Sequence, residues 1–257
     1  MNNIFLLMIF CGHLLGDFYF QSNDMVENKN ISVIYIAKHS FLYTLSIFFT
    51  MLVFLRLNKY YIIGFITIGI IHVVIDYAKI YLLKKKENIS TIHFLLDQFL
   101  HIIILVAFFI ILKKNNQISP NAIGNMVKHV YHVLIDSITI SMFVKYIFCF
   151  LILAKPSSVL ITMIIKDLGV SKETGKQNSQ TIDKNEQSFG RYIGVLERLI
   201  VFMFFSINSY ASIAIVLTAK TITRFEKISK DSNFSEYYLL GTLLSLAISI
   251  FISLIML

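Results

Sequence analysis

The stretch TIHFLLDQFLHIIILVAFFIIL, residues 91–112, decides the fold class of this chain. Apart from a few polar side chains in its first half it is apolar. It is also long enough to cross a lipid bilayer, for which a helix needs about 20 apolar residues. Similar runs recur along the 257 residues, 56% of which are hydrophobic, and the mean hydropathy is +0.73. The sequence therefore predicts an all-α, polytopic integral membrane helix bundle.

The apolar runs predict about eight membrane helices and one interfacial helix. Lys155-Pro156 is expected to end the fifth membrane helix, because proline lacks a backbone N–H and disfavours helix in the residue before it. The pattern of residues 158–168 is typical of an amphipathic helix lying along the membrane interface. The membrane helices are expected near residues 4–20, 32–57, 60–83, 91–112, 127–153, 192–206, 210–224 and 236–257.

Four segments follow from this division. Residues 1–114 form a four-helix membrane module, and residues 115–170 hold the fifth helix and the interfacial helix. The polar stretch 171–188 is interpreted as a solvated linker, and residues 189–257 as a C-terminal three-helix membrane module. The N-terminus lacks the basic region and cleavage site of a signal peptide, so we expect the first helix to be retained.

The net charge of +8 does not point to nucleic acid. Most basic residues are lysines at the ends of apolar runs, where the membrane interface and anionic headgroups favour them. The asymmetry of basic residues between the loops of the first four helices is too small to set the orientation, and the basic stretch between Lys155 and Lys230 favours a cytoplasmic position for the side that carries the intramembrane His and Asp residues. Cys11 and Cys149 lie inside apolar runs and form neither a disulfide framework nor a zinc-finger spacing.

Histidine and aspartate recur at a spacing of four residues inside the first four predicted membrane helices. Side chains at that spacing share one face of a helix, so each helix presents imidazole and carboxylate from one side. His39 adds a further imidazole near the start of the second helix. The spaced sets are His13 with Asp17, His72 with Asp76, and His93 with Asp97 and His101.

Depth in the bilayer brings these side chains to one level. With a rise of about 1.5 Å per residue and antiparallel neighbours, Asp17, His39, Asp76 and Asp97 all fall in the same leaflet. An aspartate at the centre of a membrane helix costs about 2.5–3.5 kcal/mol and normally marks a functional site. We therefore expect one pocket beneath one face of the membrane. His132 and Asp136 share the spacing but fall at the opposite leaflet, and we interpret them as interfacial.

Neutral imidazoles and carboxylates are ligands of zinc and related divalent ions. The sequence thus predicts a divalent metal, zinc being favoured, as one or two ions. A bound ion would turn water into a nucleophile for hydrolysis, with Asp97 and His101 as the candidate catalytic residues. The alternative is that these groups pair with each other between helices or relay protons. The candidate metal ligands are His13, Asp17, His39, His72, Asp76, Asp97 and His101.

The C-terminal half carries a second, weaker set of signals. Gly190 and Gly194 lie on one stripe of the sixth helix, a pattern that permits close approach of helices. The charged residues nearby are explained either by snorkelling and one interhelical ion pair, or by binding of an anionic headgroup. The candidate substrate-binding residues are Arg191, Glu197, Lys220 and Arg224.

Several separated motifs resemble a family of bacterial polytopic membrane proteins that is catalogued as domain of unknown function 3307. The resemblance implies a multi-pass protein of the bacterial cytoplasmic (inner) membrane and brings no established activity. The motifs are HLLGDFYFQ at 13–21, HVVIDYAK at 72–79, LLDQFLH at 95–101, GRYIGVLER at 190–198, AKTITRF at 219–225 and EYYLLGTLLS at 236–245.

A second similarity is to the membrane-bound metal-dependent hydrolases. It covers three short motifs, which are separated by gaps and imply hydrolytic chemistry at a metal. The matching positions are His13 with Asp17, His39 with Ser40, and His72 with Asp76.

The leading hypothesis is an integral membrane metal-dependent hydrolase that acts on an ester or phosphoester of a lipid or lipid-linked molecule. One alternative is a transporter or channel component whose His/Asp pairs bind protons or a transported cation. Another is a non-catalytic membrane subunit whose polar segment 171–188 docks a protein partner.

Overall fold

The computed structural model describes residues 2–28, 33–53, 55–83, 90–115, 138–169 and 184–256, and these are almost entirely helical. The all-α prediction is thereby confirmed. The first part of the predicted fifth helix, residues 127–137, lies outside the described residues, as do His129, His132 and Asp136. Most of the predicted linker, residues 171–183, lies outside them as well.

Nine α-helices lie within the described ranges, and one π-helical turn, Leu15–Tyr19, follows the first of them. The helices are α1 Asn2–Leu14, α2 Asn23–Asn28, α3 Val33–Leu52, α4 Lys59–Leu83, α5 Thr91–Lys114, α6 Ile138–Asp167, α7 Lys184–Ser206, α8 Tyr210–Lys230 and α9 Ser232–Met256.

Five of these helices are long and apolar enough to cross a membrane, which confirms a multi-pass membrane protein. They are α3, α4 over Lys59–Tyr81, α5, α6 over Met142–Asp167, and α9. A shorter apolar helix covers Ile4–Tyr19. The chain divides into two compact units, Met1–Phe148 and Cys149–Leu257.

In the N-terminal unit, two glycines let α1 pack closely on α3. A Cβ on Gly12 would lie 2.8 Å from the Cα of Ile47, and a Cβ on Gly16 would lie 2.8 Å from the Cα of Tyr43. The Ser46 hydroxyl donates to the Gly12 carbonyl at 2.6 Å. Small residues one turn apart allow such an approach between membrane helices. This contact holds the end of α1 and the π-helical turn against the second half of α3.

An apolar core joins α1, α3, α4 and α5 toward the opposite end of these helices from their intramembrane His and Asp residues. Its members precede the polar residues on α1 and α4, and follow them on α3 and α5. The core consists of Phe5, Ile9, Tyr43, Ile47, Met51, Leu55, Tyr61, Phe65, Ile68, Leu105, Phe108, Phe109 and Leu112.

The predicted helix end at Lys155-Pro156 is wrong. The helix α6 runs through Pro156 to Asp167, so residues 158–167 continue the same helix and do not form a separate interfacial one. Pro156 cannot donate to the carbonyl of Ile152, and the hydroxyl of Ser157 donates to that carbonyl instead, at 2.7 Å. Membrane helices tolerate proline when other donors serve the freed carbonyls.

Arg198 of α7 supplies further donors beside the proline. Its side chain is buried, and its Nε donates to the Leu153 carbonyl at 2.7 Å. Its Nη2 donates to the Ala154 carbonyl at 3.2 Å and also to the Ser158 hydroxyl. The guanidinium group therefore joins α7 to two carbonyls of α6 that lie just before Pro156.

The predicted close helix approach at Gly190 and Gly194 is also wrong for the described residues. A Cβ on Gly190 would meet no described atom within 4 Å, and a Cβ on Gly194 would meet only Nη1 of Arg198, at 3.5 Å. Since Arg198 lies on the same helix, the pair does not mediate packing between helices there.

Replacing Gly12 or Gly16 with alanine should destabilise the N-terminal unit by about 1–3 kcal/mol, the usual cost of overpacking. The cause is a steric clash with the α3 backbone, which cannot move aside as a flexible side chain can. Unfolding by sodium dodecyl sulfate in mixed micelles, followed by helicity, measures the change. Gly190→Ala is the control and should unfold no earlier than the wild type. An unchanged midpoint for Gly12→Ala would mean that α1 packs less tightly on α3.

Pro156→Ala and Ser157→Ala should be coupled. With Pro156 present, losing the Ser157 hydroxyl leaves the Ile152 carbonyl without the donor that replaces the missing N–H, which costs about 1–3 kcal/mol. With alanine at position 156 the backbone N–H can serve that carbonyl, so the same substitution should cost less. A double-mutant cycle in mixed micelles measures the interaction free energy, which we expect to exceed about 0.5 kcal/mol. Additive effects would contradict the capping role of Ser157.

Candidate metal centre

Four helical segments of the N-terminal unit contribute to one buried group of ionisable side chains, called the His/Asp cluster below. His39, His72, Asp76, Asp97 and His101 are all buried, and Asp17 is nearly so, with 11% of its side chain exposed. The structure thus brings together residues that the sequence placed at one depth. The His/Asp cluster consists of Asp17 from the π-helical turn, His39 from α3, His72 and Asp76 from α4, and Asp97 and His101 from α5.

The π-helical turn at the end of α1 orients Asp17. The Phe20 N–H donates to the Leu15 carbonyl at 2.8 Å, which is the i→i+5 bond of a π-helix, a feature often found at functional sites. Asp17 Oδ1 lies 3.2 Å from His39 Nε2, and Asp17 Oδ2 accepts from Gln98 Nε2 at 2.7 Å. The carboxylate is therefore fixed between α3 and α5.

Asp76 lies between two imidazoles from different helices. Its Oδ2 is 3.8 Å from His39 Nε2 and 3.8 Å from His72 Nε2. These separations are longer than hydrogen bonds. Two ring nitrogens and two carboxylates, those of Asp17 and Asp76, consequently surround one small region.

A chain of hydrogen bonds fixes the tautomer of His72. His101 Nδ1 is 2.8 Å from the Asp97 carbonyl, and a carbonyl only accepts, so this nitrogen carries the proton. In neutral His101 the Nε2 atom then accepts, and its partner at 2.7 Å is His72 Nδ1. His72 Nε2 is left with its lone pair beside Asp76. Neither this atom nor His39 Nδ1 has a hydrogen-bond partner among the described residues, although both are buried.

Two sets of three residues could each hold a metal ion within the described part of the chain. In each set the ligand atoms lie within 4.8 Å of one another. The sets are Asp17, His39 and His72, and His72, Asp76 and His101.

Both sets need His72. A neutral imidazole offers one lone pair, and in His72 that lone pair is on Nε2. The donor set thus suits a single ion among His39, His72, Asp17 and Asp76. In that arrangement His101 orients His72 from behind, as the hydrogen-bonded partners of metal-bound histidines do.

Asp97, predicted as a ligand and as a catalytic residue, belongs to neither set. Its Oδ2 accepts from Lys79 Nζ at 2.6 Å, and its Oδ1 is buried without a hydrogen-bond partner among the described residues, 3.9 Å from His101 Nδ1. The sequence reasoning missed Lys79. The available signal was its position three residues after Asp76, which puts both side chains on one face of α4.

His13, also predicted as a ligand, lies at the edge of the cluster. Its Nε2 is 3.2 Å from Gln98 Oε1 and its Nδ1 is 3.2 Å from Tyr43 Oη. Tyr43 also stacks on His72, with ring centroids 3.8 Å apart. Gln98 and Tyr43 were missed, although Tyr43 follows His39 by four residues and Gln98 precedes His101 by three. His93 lies near the start of α5, with Nδ1 2.6 Å from the Ser90 hydroxyl.

The predicted substrate-binding residues lie in the C-terminal unit. Lys220 Nζ is 2.6 Å from Glu197 Oε2, so the expected ion pair joins α8 to α7. Arg191 is exposed on α7, and Arg224 is partly buried on α8.

The apolar helices and the buried His/Asp cluster define a multi-pass helical membrane protein. Residues 5–127 match a family described as protein of unknown function (DUF3307). This match supports the resemblance to domain of unknown function 3307, and the matched segment contains the whole His/Asp cluster. No curated protein and no solved structure matches the chain, so the resemblance to membrane-bound metal-dependent hydrolases has no support from these comparisons.

In metal-free protein at alkaline pH, we expect His72 and His101 to carry their proton on Nδ1 and His13 to carry it on Nε2. The reason is that the Asp97 carbonyl and the Gln98 Oε1 atom act only as acceptors. Long-range proton–nitrogen NMR correlations of histidine-labelled protein distinguish the two tautomers. A proton on Nε2 of His72 would contradict the hydrogen-bond chain and remove the lone pair beside Asp76.

Proposed function

We propose that the N-terminal unit is a metal-dependent hydrolase that cleaves an ester or phosphoester of a membrane lipid or a lipid-linked molecule. One observation carries this proposal. The ring nitrogens of His39 and His72 and the carboxylates of Asp17 and Asp76 converge from three helical segments, with distances of 3.2–3.8 Å between neighbouring atoms.

The donor set fits a divalent ion of the zinc type. Imidazole nitrogen and carboxylate oxygen are common zinc ligands at about 2.0–2.2 Å, and catalytic zinc sites use three protein ligands plus water. Three of the four converging groups would suffice for such a site. The remaining carboxylate would then stand beside the metal-held water, where it can take a proton.

The net charge of the His/Asp cluster and Lys79 favours a bound cation. Three carboxylates, Asp17, Asp76 and Asp97, face one lysine, Lys79, within the described residues of the cluster. With neutral histidines, these three negative charges and one positive charge leave a net charge of −2 in a buried site. One divalent ion would balance that net charge. Buried charges are normally paired or bound to metal.

A lipid substrate is supported by the surroundings of the cluster. Four of the polar residues lie within about two turns of the ends of their helices, close to one membrane face. They are Asp17, His39, Asp76 and Asp97. Large apolar side chains beside the cluster are exposed on α4 and α5, among them Val74, Tyr77 and Phe99. Acyl chains can therefore approach from within the bilayer. Bound metal would supply a hydroxide nucleophile near neutral pH.

Elemental analysis of detergent-purified protein tests the metal. We expect about one divalent ion per chain in the wild type and loss of that ion in His72→Ala and in Asp76→Ala, because both substitutions remove converging donors. His93→Ala is the matched control on α5 and should retain the ion. Release of fatty acid or phosphate from fluorescent phospholipids should stop after chelation and return with zinc.

The results of these measurements distinguish a hydrolase from a protein without a metal centre and from a transporter. If the wild type carries no more metal than His72→Ala, the metal centre is wrong. If metal is bound and moves across liposome membranes while no lipid is cleaved, the chain is a transporter.

A further inference from the structure

We propose that Lys79 binds the anionic group of the substrate, and that the substrate is a phosphate-bearing lipid. This inference rests on the proposed hydrolase function, whose substrate class it narrows. Lys79 lies outside the predicted ligand set, and its Nζ donates to Asp97 Oδ2 at 2.6 Å.

The direction of the Lys79 side chain is unusual for its place in the membrane. The apolar span of α4 ends at Tyr81, two residues later, and a lysine at such a position ordinarily extends to the headgroup region. In this protein its ammonium group points to Asp97 in the cluster. The lysine therefore connects the membrane face with the proposed metal centre.

In the ion pair of Lys79 and Asp97, the lysine is the more exposed partner. The Lys79 side chain is 30% exposed and the Asp97 side chain 7%. An incoming anion consequently meets the ammonium group before it meets the carboxylate. An ammonium group has three N–H donors, so phosphate oxygens can bind while the contact with Asp97 persists or replace that contact.

Asp97 lies beside Lys79 in the place where we propose that the anionic group of the substrate binds. One of its oxygens is bound to Lys79, and the other has no hydrogen-bond partner among the described residues. Asp17 differs, since one of its oxygens faces His39 and the other accepts from Gln98. Of these two carboxylates, Asp97 is the one held by fewer contacts and the more easily displaced from its cation.

The depth of Lys79 in the membrane matches that of a lipid phosphate group. Lys79 is three residues, or about 4.5 Å along the helix, closer to the membrane face than Asp76. A lipid phosphate at the end of the apolar span would therefore lie beside Lys79. The bonds that link the glycerol to its substituents would lie slightly deeper, at the level of the proposed metal centre. Lysine binds phosphate as a point charge, which a neutral lipid cannot exploit.

Calorimetric titration of the purified protein in detergent tests this inference, with metal content measured on the same samples. The probes are dihexanoylphosphatidate, the neutral dihexanoylglycerol and inorganic phosphate. We expect the wild type to bind dihexanoylphosphatidate at least about tenfold more tightly than dihexanoylglycerol, since a hydrogen bond to a charged group is worth about 1.5–3 kcal/mol. Inorganic phosphate should bind more weakly than the lipid.

Lys79→Gln should abolish the preference for dihexanoylphosphatidate, and Lys79→Arg should retain most of it. Lys38→Gln is the matched control, because it removes one exposed positive charge beside His39 at the same end of the helices. If Lys79→Gln fails to fold with Asp97 unpaired, Lys79→Gln combined with Asp97→Asn restores a neutral hydrogen-bonded pair and should likewise lack the preference.

An unchanged preference in a folded Lys79→Gln protein, or no preference in the wild type, overturns the inference. Inorganic phosphate that binds as tightly as the lipid overturns the assignment to a lipid. A wild type without metal, whose phosphatidate preference still depends on Lys79, would refute the proposed hydrolase centre and leave the anion site in place. A metal-loaded wild type without that dependence refutes the role of Lys79 alone.

Discussion

Three carboxylates inside a membrane helix bundle are the constraint on which the N-terminal unit depends. Each would oppose insertion by about 2.5–3.5 kcal/mol if it faced lipid alone. Asp17 is held by His39 and Gln98, and Asp97 is held by Lys79. Asp76 is placed differently, because both imidazoles near it are 3.8 Å away. Asp76 thus lies between two imidazoles from different helices, at distances that leave room for the ion proposed above.

Close packing of the surrounding helices holds the side chains of the His/Asp cluster at these distances. Gly12 and Gly16 bring the α1 backbone against α3, and the π-helical turn then directs Asp17 toward His39. Toward the other end of the same helices, an apolar core fixes their separation. Close packing on one side of a site and hydrogen bonds on the other leave few ways for its donors to move, and such preorganisation makes an ion-binding site selective.

Much of the site could be predicted from the sequence, since helical spacing and depth depend only on local geometry. His39, Asp17 and Asp76 meet because they lie at similar distances from the ends of their helices. The part that could not be predicted depends on contacts between distant residues. A lysine near a helix end normally extends to the headgroups, so the position of Lys79 on the same face as Asp76 did not reveal its pairing with Asp97. The continuity of α6 through Pro156 was not predicted either. There the Ser157 hydroxyl replaces the missing donor, and Arg198 binds the neighbouring carbonyls from another helix.

The rule that buried polar atoms need a hydrogen-bond partner applies to both Pro156 and the His/Asp cluster, with opposite results. Pro156 leaves the Ile152 carbonyl without its backbone donor, and the Ser157 hydroxyl serves that carbonyl. In the His/Asp cluster most polar atoms are hydrogen-bonded to neighbouring residues. His72 Nε2 and Asp97 Oδ1 are buried and have no hydrogen-bond partner among the described residues. Such atoms are rare in folded proteins and call for a cause. Both atoms are electron-rich, so a hydrogen-bond donor or a cation would satisfy them. His72 Nε2 faces the Asp76 carboxylate at 3.8 Å, where a cation can contact both groups, and this links the geometry of the N-terminal unit to its proposed chemistry.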